Sequence, residues 1–433
     1  MGTLQETLAL CRTEFAEKNP GSLAYEAKAS AFLPGANTRS VLYHAPFPLL
    51  LDHGSDARVW DVDGHEYIDC VGEFSAGLYG HSNPIITRAV RRALKRGTAL
   101  GGQTDAELQL AEALCDRLPL IELIRFCNSG TEANLFAITT ALARTARKTV
   151  LAFRGAYHGG LISFPVEGNP LNVPFRVKPA IFNDIADTKA KIAACGNDLG
   201  AIIVEPILGA GGNIPASADF LATLRETSST VGAILIFDEV KTARSGAGGV
   251  QALHGIAPDM TTLGKFIGGG LPLAAFGGRA DIMEVFDPRR QGSNRHAGTF
   301  NNNVCSLAAG HAGLTKVFTK QVAERLLERG EGLRKRLSQI SDECRVPLIF
   351  SGLGSIFTMH FLEKAPANPA DITERSKSLS SLFHIWAINN ELLVASRGDF
   401  FLSLPFLDLP TDILYALVSR FCHEHRHLLT SCH

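Results

Sequence analysis

Lys265 lies in Thr261-Thr262-Leu263-Gly264-Lys265-Phe266-Ile267-Gly268-Gly269-Gly270, an apolar, glycine-rich setting. An ammonium moved out of water loses hydration, so its pKa falls and an amine nucleophile becomes available near neutral pH. That is what a Schiff-base lysine needs, and the glycines let the backbone lie close to a bound ring. Read alone, the segment is equally a surface loop with a solvated lysine. Upstream, Val231–Phe237 is a short apolar run of the kind that forms a parallel strand buried on both faces, and it ends in Asp238-Glu239-Val240. A carboxylate at the C-terminal mouth of such a strand sits where open α/β sheets bind ligands. By itself Asp238 serves as well as a helix cap or a salt-bridge partner.

Taken together, lysine and aspartate match the needs of pyridoxal phosphate, whose ring requires a carboxylate against its pyridine nitrogen to act as an electron sink. Other segments add candidates. Ile124–Cys127 reads as a strand, followed by Asn128-Ser129-Gly130-Thr131-Glu132 and a helix to about Ala143. Hydroxyls, glycine and free N–H groups at a helix N-terminus make an anion site that suits a phosphate, or an ordinary Ser/Thr cap. Tyr157, in the glycine-rich stretch after the strand Thr149–Phe153, can stack on an aromatic ring. Arg39, in the turn-rich loop Leu33–Ser40, is a candidate for bidentate carboxylate recognition or a solvated surface residue.

These residues need a frame. Strands alternate with helices over residues 120–280, with Leu199–Val204 repeating the strand-to-carboxylate pattern at Glu205 and Leu273–Gly277 adding another strand. That order predicts an α/β fold with a mostly parallel, doubly wound sheet and polar groups at its C-terminal edge. Flanking it, helices are expected over Leu4–Lys18, stopped by Asn19–Ser22, and over Ser22–Phe32. Asp63-Gly64 predicts a type I′ hairpin within Val59–Asp69. A basic helix follows over Ile85–Lys95. Single helices are expected over Val304–Val317 and Val322–Ile340, strands over Ser351–Phe361 and Glu391–Leu404, and a closing helix over Thr411–His427. The layout is a large domain over residues 76–317 and a small α+β domain built by both termini, 1–75 and 318–433.

With 433 residues, 45% of them hydrophobic, the chain supports two or three cores. Lys+Arg (42) nearly balance Asp+Glu (43), which argues against nucleic acid or a membrane surface as partner. The nine scattered cysteines contain no CxxC pair, so neither a metal site nor a disulfide framework is expected. No basic leader with an apolar run opens the chain, and a cytoplasmic setting is expected.

The ordered set Asn128-Ser-Gly-Thr-Glu-Ala133, Tyr157-His-Gly159, Glu205-Pro206, Phe237-Asp-Glu-Val240, Leu263-Gly-Lys265 and Gly298-Thr-Phe-Asn301 resembles the class III aminotransferases, fold-type I enzymes that include glutamate-1-semialdehyde aminomutase. Pro34-Gly-Ala-Asn-Thr-Arg-Ser-Val41, Ala45-Pro-Phe-Pro48, Tyr79-Gly-His-Ser82 and Ser396-Arg-Gly398 are similar to the β-phenylalanine aminotransferases. The resemblance implies that Lys265 bonds the cofactor aldehyde and then shuttles a proton, that Asp238 holds the pyridine nitrogen protonated, and that Tyr157 and Val240 pack on the two ring faces. It implies that Ser129, Gly130 and Thr131 bind the phosphate and that Thr299 reaches the phosphate of a neighbouring subunit, so that a homodimer shares its active sites. Arg39 and Arg397 are implied as the substrate-carboxylate arginines, with the apolar group in a pocket bordered by Phe74 or Tyr79. The implied reaction moves an amino group from a β-amino acid, an aromatic one on this similarity, to a 2-oxo acid such as 2-oxoglutarate or pyruvate. An aminomutase of the glutamate-1-semialdehyde type and a non-catalytic cofactor-binding protein are the alternatives. Lys241 departs from the resemblance, because close relatives can carry an apolar residue there. It points either to solvent or into the pocket, where it would favour an extra anionic group on the substrate and weaken the aromatic β-amino acid assignment.

Overall fold

A computed structural model describes residues 2–165 and 167–430; Met1, Val166 and 431–433, Cys432 among them, lie outside the described residues. Seven strands form the central sheet in the order Leu123–Cys127, Ala274–Gly278, Met260–Leu263, Ile234–Asp238, Leu199–Val204, Thr149–Phe153, Arg176–Ala180. Ala274–Gly278 runs antiparallel to both of its neighbours, and the remaining pairs are parallel. The chain is therefore α/β, with the mostly parallel, doubly wound sheet that the strand and helix alternation predicts.

Successive residues of the central strands serve opposite layers. Val150, Ala152, Ile203 and Ile236 pack against Ala133, Ala137 and Ala141 of the helix Gly130–Thr145. Their neighbours Leu151, Phe153, Val204, Leu235 and Phe237 pack against Phe220, Leu221 and Leu224 of the helix Ala218–Val231. Burial on both faces is why these strands read as unbroken apolar runs. Small side chains on the first helix bring it close to the sheet, so its N-terminus ends at the strand mouths.

A separate core joins the two ends of the chain. Phe15, Val59, Tyr67 and Ile68 pack with Leu337, Phe357, Phe383, Phe400 and Phe421. Leu392–Leu393 adds a parallel strand to Leu51–Ser55, Arg58–Asp61 and Glu66–Asp69, while Ile349–Leu353, Ile356–His360 and Asp399–Phe401 make a second small sheet. The helix Lys320–Cys344 bridges the cores: Ala323 and Leu326 pack with the central region, and Leu333, Leu337 and Ile340 with the terminal one. No helix among the described residues is long and apolar enough to cross a membrane.

Several local expectations are corrected. The break after Leu4–Lys18 is Asn19 alone, because Pro20 occupies the first turn of Pro20–Ala29, where its missing N–H is harmless. The hairpin after Asp61 has a three-residue loop in which Gly64 carries the positive φ (+90°) and Asp63 does not, so the turn is not type I′. The helix expected over Val304–Val317 is α-helical over Val304–Ala312 and widens to a π-turn over Gly313–Val317, where a Cβ on Gly313 would lie 2.6 Å from the Tyr79 ring. Ser351–Phe361 is not one strand but two, turned at Gly354 (φ +55°). Glu391–Leu404 likewise divides into Leu392–Leu393 and Asp399–Phe401, which belong to different sheets. Arg397 sits in the crossover between them.

Candidate active site

Register explains how distant residues meet. Asp238 pairs across the sheet with Thr262, and Phe237 with Val204, so Asp238, Glu205 and the turn into Lys265 emerge side by side at the C-terminal edge. Lys265 itself has a left-handed backbone (φ +54°), uncommon for a residue with a Cβ, and the turn lifts its side chain out of the strand plane. A cavity of about 700 Å³ opens there. Its walls include Lys265, Asp238, Tyr157, Val240, Gly130 and Thr131, together with Arg39 and Arg397.

Asp238 is buried and held from both sides. Its Oδ2 accepts from Asn134 Nδ2 (2.8 Å) and lies 2.7 Å from His158 Nδ1; its Oδ1 accepts from the Val240 N–H (3.1 Å) and lies 3.4 Å from Thr262 Oγ1. Thr262 also donates to Asn134 Oδ1 (2.7 Å), which fixes the amide with its NH2 toward the carboxylate. Hydrogen bonds to an ionised group in such surroundings contribute about 1.5–3 kcal/mol each and hold it rigidly. His158 and Asn134 are therefore positioning residues that residue-type reasoning missed. His158 lay in plain view beside Tyr157, but only the fold brings its ring to Asp238.

Burial pushes the Lys265 ammonium down to about 8, with Arg244 and Arg397 acting in the same direction and Asp238 and Glu205 opposing. Val240 packs between two glycines: a Cβ would lie 2.8 Å from its side chain at Gly130 and 3.1 Å at Gly264. Gly159 (φ +126°) approaches Thr131 so closely that a Cβ there would lie 2.3 Å from Oγ1. Among the described residues, no acceptor within the chain takes the N–H groups of Gly130 and Thr131 at the start of their helix. Two unclaimed donors, a hydroxyl and the positive helix end form an anion cradle. Ser129 stands just outside the cavity wall, where its Oγ caps the helix by accepting from the Glu132 N–H (3.2 Å). Cradle, amine and carboxylate, with space among them, are the donor set that pyridoxal phosphate requires, and the residues present fit that group.

On the outer wall Arg39 pairs with Glu73 and stacks 5.5 Å from the Phe74 ring centroid. Arg397 pairs with the buried Asp399 through Nη2 (2.9 Å) and Nε (3.2 Å). Phe74 borders the cavity, whereas Tyr79 does not: it is buried in the apolar core with Leu78, Leu110 and Phe266. Lys241 lines the cavity and does not point to solvent. Glu205 also faces it, accepting from the N–H groups of Tyr157 (3.1 Å) and Gly209 (3.3 Å), and burial raises its pKa. Thr299 is exposed and forms no part of the cavity in its own chain.

The family model "Aminotransferase class-III" matches residues 41–164 and 169–383. A β-phenylalanine transaminase of Variovorax paradoxus is 43% identical over 98% of both chains. The crystal structure of a β-phenylalanine aminotransferase from that organism superposes with a TM-score of 0.96 over 99% of both chains. A transaminase solved with PLP bound is 32% identical, with a TM-score of 0.84 over 95% of this chain and 98% of the other. A glutamate-1-semialdehyde 2,1-aminomutase of Sorangium cellulosum is 36% identical over 85% of this chain and 88% of its own length.

Proposed function

This chain belongs to the class III aminotransferases, and from that premise we propose that it transfers an amino group from a β-amino acid, preferably an aromatic one, to a 2-oxo acid. Its cofactor is pyridoxal phosphate, which supplies an aldehyde to carry the amino group and a protonated ring to spread developing negative charge.

The observation that carries the substrate assignment is that Arg39 and Arg397, on separate loops, face the same cavity as Lys265 and Asp238. A β-amino acid carries its amine one carbon farther from the carboxylate than an α-amino acid does. With the amine held beside Lys265 at the cofactor's aldehyde position, the carboxylate must be caught farther out, and two arginines at different positions allow donor and acceptor to be held in turn. Phe74 offers the flat apolar surface that an aromatic side chain needs.

The chain's own groups then divide the work. Asp238, clamped by Asn134 and His158, keeps a proton on the ring nitrogen. Gly130 and Thr131 would hold the phosphate, and Tyr157 and Val240, which line the same cavity, would pack against the ring. Lys265 Nζ, with its pKa lowered to about 8, would take a proton from the amine-bearing carbon of the substrate and return it to the carbon that the cofactor's aldehyde supplies. Thr299, exposed on its own subunit, would reach the phosphate of a second copy if the working unit is a homodimer.

The test is a panel of α-, β- and ω-amines with 2-oxoglutarate and pyruvate, followed by chiral product analysis. The expected result is β-amino acid turnover that requires a 2-oxo acid and releases the keto product. Turnover confined to α-amino acids would overturn the substrate class. Isomerisation without any free 2-oxo acid, with the intermediate retained in stopped-flow spectra, would establish the aminomutase.

A further inference from the structure

The cavity contains a second amine for which the reading above has no task. Lys241, one residue beyond Val240, is only 9% exposed, and it lines the same space as Lys265. It donates to Asn213 Oδ1 and lies 4.7 Å from the centroid of the Phe401 ring. Among the described residues, no carboxylate pairs with it directly. An ammonium has three donors. Asn213 takes one, and a ring face attracts the charge without satisfying the others.

The amide that holds Lys241 is itself fixed. Asn213 is fully buried with a left-handed backbone (φ +51°), and its Nδ2 donates to Thr358 Oγ1 (2.8 Å) and Asp399 Oδ1 (3.3 Å). The amide oxygen is thereby turned toward Lys241. The other oxygen of Asp399 is occupied by Arg397. One carboxylate thus serves two cations, Arg397 directly and Lys241 through Asn213.

We propose that Lys241, held in place by Asn213, forms an anion subsite for the second carboxylate of a dicarboxylic 2-oxo acid, which makes 2-oxo dicarboxylates the preferred amino acceptors over monocarboxylates. The inference rests on the transaminase reading and deepens it by naming the acceptor class. A dicarboxylate brings two charges into a cavity whose two arginines already have carboxylate partners, and Lys241 is the cation still free to meet one. The same residue tolerates an apolar donor in the other half of the cycle. Burial lowers its pKa to about 7, with Lys265 and Arg397 acting in the same direction and Asp399 and Glu205 opposing, so it sheds its proton at little cost when no anion is present.

Holoenzyme binding of glutarate and butyrate, unreactive acids that differ in the second carboxylate, tests this by calorimetry in wild type, Lys241→Met and Lys241→Arg. Methionine keeps length and volume without charge. Glutarate affinity is expected to fall about 10–100-fold in the methionine variant, while butyrate changes about twofold at most and the arginine variant keeps most of the glutarate affinity. Glutarate binding should take up a proton and weaken as pH rises above about 7, and the ratio of kcat/KM for 2-oxoglutarate to that for pyruvate should fall in parallel. Equal losses for both acids, or unchanged glutarate binding, overturns the subsite. If the methionine variant fails to load cofactor, the wild-type contrast between the two acids and its pH dependence decide the matter: no preference for glutarate overturns it. Neither acid involves an amino donor, so failure of the β-amino acid reading leaves this test intact. A β-amino acid transaminase with no preference for dicarboxylates would sink the subsite alone.

Discussion

The inner and outer walls of the cavity are built on different terms. On the inner wall, Asp238 is 3% exposed, and its neighbours Asn134, His158 and Thr262 are all buried and bonded to one another. Asp238 and Thr262 stand on neighbouring strands whose register is set by the core, Asn134 on the helix packed against them and His158 in a loop at the strand mouths. On the outer wall, Arg39 and Glu73 form a pair whose side chains are 42% and 57% exposed, and Arg397 reaches out from the buried Asp399 at a strand crossover. Exposed pairs are weak and exchange partners readily. The contrast is one of construction: the inner wall is a buried, mutually bonded cluster, while the outer wall carries two loop arginines, one in an exposed pair and one on a buried carboxylate.

The largest expected effect strikes the inner wall. Lys265→Ala should lower turnover by about 10⁴-fold or more and abolish the visible absorbance of the bound cofactor, because it removes the amine proposed as both covalent anchor and proton carrier. In the wild-type apoprotein, acquisition of that absorbance should accelerate as pH rises toward about 8 and then level off, since burial lowers the ammonium's pKa and the free amine accumulates above it. An absorbance band that survives the alanine substitution would remove Lys265 from the role. Asp238→Asn comes next: it keeps the shape but loses the charge, and turnover should fall by about 10²–10³-fold, with the cofactor more easily dialysed away. Cofactor retention and rates like those of wild type would show that the clamp of Asn134 and His158 serves only the fold.

Outer-wall changes should be smaller and should fall on KM. Arg397→Ala is expected to raise KM for carboxylate substrates by about 10–100-fold, and to lower Tm because Asp399 is left buried without its partner. Arg39→Ala should raise KM by about 3–10-fold with Tm unmoved, since its pair with Glu73 is exposed. Equal effects of the two on Tm would break the distinction between a partly buried and a solvated pair. A collapse of kcat in either would break the distinction between the walls.

Much of the inner wall was legible before folding. Apolar runs ending in Asp238 and Glu205, a hydroxyl-rich helix start at Ser129 and a lysine among glycines each record a local requirement of strand, cap or close backbone approach. On the outer wall, Arg39 was a candidate from its turn-rich loop, while Arg397 was legible only through resemblance, because a loop arginine carries no periodic signal and it lies at a break that read as continuous strand. Tyr79 shows the converse failure. An aromatic near a turn looked available to a substrate, yet it fills the core against Gly313. His158, Asn134 and Asn213 were missed because a polar side chain acquires meaning only from its partner, and their partners Asp238 and Asp399 lie 80, 104 and 186 residues away.

Composition and patterning alone determined the α/β layering and the order of the catalytic segments, because burial on both faces of a strand and the capping of a helix are written in neighbouring residues. Which way Lys241 turns, and that one carboxylate holds it through Asn213 while pairing with Arg397, was decided only by the packing of the strand Asp399–Phe401 beside the glycine-rich turn before Asn213. Electrostatic balance is a property of distances between elements, and distances between elements exist only once the chain has closed on itself.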